Sequence, residues 1–256
     1  MSIKYHYRPE ELLKGISRKE AGLEYISCKR IELDGNIRPL ITQTGNQEVV
    51  FVVMAWKMDY DFNGRAGTAI FKDMVYVPWK NRITLSTSSK ATVMQVGALS
   101  DRNTNFAHIA FSEVAKDPNR HKVYGFAETN CLRHVYTFLG DDFNAARLMM
   151  GVCQGNPGGW TSWPPHEHAE QREEIYVYFD MGKEFGVQLL YENLDNPLYV
   201  GIVRNGDMVL IPRGYHPNVG CPAGRICYIY AMAARKAGER KFLDLHIQED
   251  FGSKFE

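Results

Sequence analysis

"DMVLIP", Asp207–Pro212, repeats "DMVYVP", Asp73–Pro78, 134 positions later with four of six residues identical. Each copy sets a carboxylate ahead of a short apolar strand and ends on proline, which cannot continue a sheet ladder. Upstream of each lies an apolar strand that opens on an acidic residue: "QEVVFVVMAW" at Glu48 and "EEIYVYFDM" at Glu174. Two matched segments in the same order predict a duplicated β unit; chance similarity between strands is the competing explanation. Runs of similar length and punctuation, "RITLST", "TVMQVGAL", "VQLLYE" and "ICYIYAMA", carry the strand pattern along the chain. Helical signals are confined to "PEELLKGI" and "FSEVAKD". The chain therefore reads as mostly β, with its halves joined near "VAKDPNRHKVYG", where Pro, Asn, Lys and Gly interrupt the strands.

A length of 256 residues is enough for one large β domain or two smaller ones. Thirty basic residues balance thirty acidic ones, so no net field would hold nucleic acid or an anionic membrane. The longest apolar run, "VVFVVMAW", is far short of a membrane span, and "MSIKYHYRPEELLKG" lacks the apolar core of a signal peptide. Five cysteines without a CxxC pair read as small buried side chains in a reducing cytoplasm rather than a disulfide framework. "EVVFVVMAW" and the face formed by Ile175, Val177 and Phe179 present more apolar strand surface than one closed unit needs. That excess predicts a homo-oligomer, unless the two halves bury these faces against each other.

The halves differ in their histidines. "DMVLIP" is followed by "RGYHPN", which carries His216, whereas "DMVYVP" is followed by "WKNRIT", with Arg82 in the corresponding place. In "PPHEHAEQREEIYVYF", Pro164–Phe179, His166 and His168 stand two apart, so on an extended segment both point to one face. Glu173 and Glu174 compete to supply a carboxylate. Alternation puts Glu174 with Tyr176 and Tyr178, and Glu173 with Ile175, Val177 and Phe179. A polar pocket would use the first face, which selects Glu174 as ligand and leaves Glu173 as a supporting or acid–base group. Three neutral imidazoles (His166, His168, His216) and one carboxylate suit a single divalent Mn, Zn, Fe, Co or Ni, with Mn or Zn foremost. His6, His108, His121 and His246 have no partner spacing and read as ordinary, and His134 reads as a packed strand residue.

"GDMVLIPRGYHP" and "HEHAEQREE" together resemble the two motifs of the cupins, small β-barrels whose His, His, Glu, His set holds a metal. More narrowly, "GGWTSWPPHEHAEQREEIYVYF", "IPRGYHP" and "YIYAMA" resemble the 5-deoxy-glucuronate isomerases of inositol catabolism. The 4-deoxy-L-threo-5-hexosulose-uronate ketol-isomerases of pectin breakdown are similar too. The likeness is strongest over residues 132–235. It implies an all-β bicupin, two jelly-roll barrels in tandem with few short helices. Residues 1–125 would form a cupin-like domain without metal ligands, and residues 126–256 the metal-binding one. The linker "AEQR" is shorter than in the inositol-pathway members, which bears on the substrate more than on the metal.

The resemblance further implies metal-dependent aldose–ketose isomerisation of an acidic sugar, with 5-deoxy-glucuronate to 5-dehydro-2-deoxy-gluconate in the lead. A metal holding the open-chain carbonyl and its neighbouring hydroxyl would acidify the proton between them, and a base would carry it from carbon to carbon through an enediol. A hydride shift is the rival course. Glu173, Tyr176 and Tyr215 are the candidate catalytic groups by proximity to the ligands. A carboxylated substrate calls for a guanidinium: Arg133 aligns with an arginine in both related isomerases, and Arg147 and Arg172 are further candidates. Alternative functions are an isomerase of another anionic hexose (a hexosulose uronate or a sulfonated sugar such as sulfoquinovose), an iron-dependent cupin oxygenase, and a non-catalytic sugar-binding cupin.

Overall fold

The structure, a computed structural model, describes residues 3–254; Met1 and Ser2 of the opening stretch lie outside the described residues. The fold is all-β, with three four-residue α-helices and one 3-10 turn among the described residues. Every apolar run singled out above is a strand, and both helical stretches form, as Pro9–Leu12 and Phe111–Val114. A third helix, Arg18–Ala21, was not expected; Ser17 and Glu20 open it with a reciprocal capping box.

Two large sheets dominate. A five-stranded sheet runs, in spatial order, Ala107–Ile109, Met74–Val77, Gln47–Ala55, Lys90–Leu99, Ile26–Asp34. A seven-stranded sheet runs His6–Tyr7, Met208–Ile211, Arg172–Tyr178, Cys227–Ala234, Leu148–Gly155, Arg133–Leu139, His121–Tyr124. Each half adds a four-stranded sheet. Gln47–Ala55 is apolar at successive positions because both its faces are covered. Val49, Phe51 and Val53 join a core within the first half. Val50, Val52 and Met54 join a second core, shared with Ile175, Val177 and Phe179 of the other half. The two faces expected to drive oligomerisation are thus buried inside one chain, so the apolar surface behind that expectation is not on the outside.

Pairing registers expose how deep the repeat goes. Val49 pairs with Val77 and Glu174 pairs with Ile211, and Val77 and Ile211 hold the same place in the two DMV copies. Val49 is therefore the counterpart of Glu174, and Glu48 that of Glu173. The sequence comparison, which matched Glu48 to Glu174, is corrected by one residue. A one-residue slip matters because it exchanges the faces of a strand.

The aspartates of the DMV copies act alike. Asp73 accepts the Ile70 N–H at 2.9 Å, and Asp207 accepts the Arg204 N–H at 2.8 Å. Asp73 Oδ2 lies 3.1 Å from Nε2 of His108, and Asp207 Oδ2 lies 3.1 Å from Nε2 of His6. These two histidines, read as ordinary from sequence, sit on equivalent short strands: His108 faces Val75 and His6 faces Val209. The first half thereby sends His6–Tyr7, and also His121–Tyr124, into the seven-stranded sheet. A boundary at residues 125 and 126 divides the chain but does not separate the sheets.

The halves are locked by reciprocal carboxylates. Glu48 accepts the backbone N–H groups of Ala146 (2.6 Å), Arg147 (2.6 Å) and Leu148 (2.7 Å) from the second half. Glu173 accepts those of Glu24 (2.8 Å), Tyr25 (2.7 Å) and Ile26 (2.7 Å) from the first. Both side chains are buried, so removing either strands three N–H donors away from water. Glu48→Gln is expected to cost about 2 kcal/mol of stability. The check is the midpoint of chemical denaturation; an unchanged midpoint would remove the lock from the account.

Candidate metal centre

His166, His168, Glu174 and His216 meet on the inner face of the seven-stranded sheet. Donor nitrogens of the three imidazoles all lie within 4.8 Å of one another. Glu174 Oε2 stands 3.1 Å from His168 Nε2 and 3.4 Å from His216 Nε2. Each ring is held from behind through Nδ1, which faces a backbone carbonyl: Pro164 for His166 (3.0 Å), Arg172 for His168 (3.4 Å) and Gly214 for His216 (2.9 Å). A ring donating from Nδ1 presents a bare Nε2 lone pair forward, the usual orientation of a metal-ligating histidine.

Electrostatics favours a cation at that point. Burial pushes His168 down to about 3 and His216 down to about 4, and holds His166 well below the usual imidazole range. Burial also lifts Glu174 to about 7. Buried lone pairs 3.1 Å apart on His168 and Glu174 repel unless a proton or cation lies between them. His216 Nε2 is fully buried with no hydrogen-bond partner. The donor set thus fits a divalent transition metal.

A cavity opens beside these donors, lined by His166, His168 and Glu174 among others. Its polar walls include Arg133, Ser162, Arg172 and Tyr176. Tyr176 hydroxyl is 3.1 Å from Ser162 Oγ, and burial keeps the phenol protonated, its pKa well above the ordinary value. Arg133 donates to the carbonyls of Cys131 and Trp163 and lies 5.4 Å from the Tyr124 ring centroid.

Three expected residues are placed elsewhere. Glu173 points to the opposite face of its strand, where its oxygens hold residues 24–26, so the catalytic role expected of it lacks the required geometry. Tyr215 is bridged to Tyr191 and does not line the cavity. Arg147 gives its guanidinium to the carbonyls of Ala234 and Arg235 and lies over Tyr25, away from the cavity.

Sequence reasoning missed several walls. Tyr228, Tyr230 and Met232 line the cavity and face Tyr178, Tyr176 and Glu174 across the ladder. Their alternation in "YIYAM" was a readable signal. Phe242 and Leu245 arrive from an irregular segment with no periodicity to announce them. A titration with Co(II) is expected to give visible d–d bands that saturate near one ion per chain, and His216→Ala to abolish them. Identical bands from that variant would place the ion elsewhere.

A sequence profile of the KduI/IolB family matches residues 4–250. The chain is 28% identical over 243 residues to a 5-deoxy-glucuronate isomerase of Shouchella clausii (strain KSM-K16), covering 87% of this chain and 86% of the relative. It is 38% identical over 90 residues to a 4-deoxy-L-threo-5-hexosulose-uronate ketol-isomerase of Opitutus terrae, covering 34% of this chain and 31% of the relative. In fold it is similar to the crystal structure of an IolB-like protein from Salmonella typhimurium LT2, with a TM-score of 0.77 and 20% identity over 93% of this chain and 92% of the other.

Proposed function

The chain belongs to the KduI/IolB family, and on that premise we propose that it is a metal-dependent isomerase of an open-chain sugar acid, with 5-deoxy-glucuronate as the leading substrate. The observation that carries this reading is the convergence of three forward-facing imidazoles and a buried carboxylate beside a cavity. His166, His168, Glu174 and His216 hold the ion in this proposal. The two sheet pairs are proposed to be tandem jelly-roll barrels, a metal-free one over residues 1–125 and a metal-binding one over residues 126–256. Support comes from the repeated pairing registers and from Val49, an apolar residue where the second half has Glu174.

A divalent ion there supplies Lewis acidity, lowering the cost of removing a proton from carbon beside a carbonyl. The protein's own groups set the rest. Backbone carbonyls behind each ring fix the imidazoles so that little reorganisation accompanies reaction. The protonated Tyr176 hydroxyl, held by Ser162, is a donor to a sugar oxygen rather than a base. Arg133 brings positive charge to the wall for the substrate carboxylate, while aromatic and aliphatic neighbours exclude water and strengthen both contacts.

The test is metal analysis followed by an NMR assay on 5-deoxy-glucuronate, 4-deoxy-L-threo-5-hexosulose-uronate and other acidic hexoses. Isomerisation of at least one acid is expected, with loss of both metal and turnover in His168→Ala; turnover that survives without the ion would overturn the mechanism. Tyr176→Phe should keep the metal and lose roughly 10²-fold in kcat. Unchanged kcat would exclude the hydroxyl from the chemistry.

A further inference from the structure

Beyond the final strand of the seven-stranded sheet, Cys227–Ala234, the chain turns back over the cavity. Arg240 donates to the carbonyls of Gly140 (2.9 Å) and Leu148 (3.1 Å), and the Phe242 N–H reaches Asp141 Oδ1 at 2.8 Å. His246–Ile247 then pairs with His166–Glu167, the strand that carries the first imidazole. Between these fixed points Phe242 and Leu245 reach the cavity.

Arg172 joins this strap to the centre. Its side chain is 2% exposed. Its terminal nitrogens donate to the carbonyls of Lys241 and Phe242, the second at 2.8 Å. Its own carbonyl lies behind the His168 ring, and its Nε is buried without a hydrogen-bond partner. Main-chain carbonyls of the strap accept the hydrogen bonds of this buried guanidinium. If the strap lifted, both would lose their partners, so the arrangement is self-reinforcing.

We infer that Arg172 is a positioning residue that fastens residues 241–247 across the cavity, and that Phe242 and Leu245 on this strap form the wall that selects the length of the sugar acid. The choice of ligand rests on the proposed function; the fastening does not. Arg172→Gln, Arg172→Lys and Phe242→Ala would be compared with the natural protein by three measurements. Trypsin cleavage after the exposed Lys241 reads the strap, Co(II) stoichiometry reads the centre, and KM against kcat reads acids that differ by one carbon.

Arg172→Gln is expected to be cut about tenfold faster or more, with Co(II) stoichiometry unchanged and KM raised more than kcat is lowered. Lysine, able to hold one carbonyl, should recover part of the protection. Phe242→Ala should stay protected while its preference shifts toward the longer acid. Natural cleavage and KM in Arg172→Gln would overturn the inference. So would loss of Co(II), which would show the guanidinium acting through His168 instead, or unchanged length preference in Phe242→Ala. If the natural protein turned over no acid, the functional reading would fail, and the protease experiment would still decide the fastening.

Discussion

Two buried carboxylates, Glu48 and Glu173, each bound to three backbone N–H groups of the opposite half, are the constraint on which the remaining geometry depends. Successive residues of a strand face opposite ways. Fixing Glu173 toward the first half therefore fixes Glu174 toward the cavity, and a slip of one residue would exchange them. The bond between halves and the direction of a candidate metal ligand are thus one decision taken twice along the same strand.

Against that shared framework, the two halves diverge by replacement and by addition. In the first half, Val49, Phe51 and Val53 meet Met58, Ile83 and Leu85 in an apolar core. In the second, the corresponding face carries Glu174, Tyr176 and Tyr178, and opens on a cavity. The hairpin of His121–Tyr124 and Arg133–Leu139 extends the second sheet beyond Leu148–Gly155, whereas Ile26–Asp34 ends the first sheet in the equivalent position. That hairpin contributes Tyr124, Arg133 and Val135 to the cavity, and the strap contributes Phe242 and Leu245. Glu174 comes from the repeated framework, and the hairpin and strap add five walls from outside it, a division that lets specificity vary while the centre is kept.

Much of this was legible in the sequence because strand physics is local. Period two and turn residues marked the strands, and the i, i+2 spacing marked His166 and His168 as neighbours on one face. Alternation also separated Glu173 from Glu174, although the repeat was aligned one residue out, since two adjacent glutamates look alike without a pairing register. What stayed hidden depended on distant partners. Nothing near His6 or His108 announces Asp207 or Asp73, and nothing near Arg172 announces the carbonyls of residues 241 and 242. The apolar faces were recognised, but whether another chain or the other half covers them is settled only by tertiary packing.

The exchange of short strands has a consequence for biosynthesis. On the ribosome, Ala107–Ile109 can close on Met74–Val77 soon after it emerges, whereas His6–Tyr7 must await Met208–Ile211. The amides of Glu24, Tyr25 and Ile26 likewise remain unanswered until Glu173 has been translated. Contacts so remote in sequence close slowly. The first half is therefore born unfinished, and only the arrival of the second supplies the strand and the carboxylate that complete it.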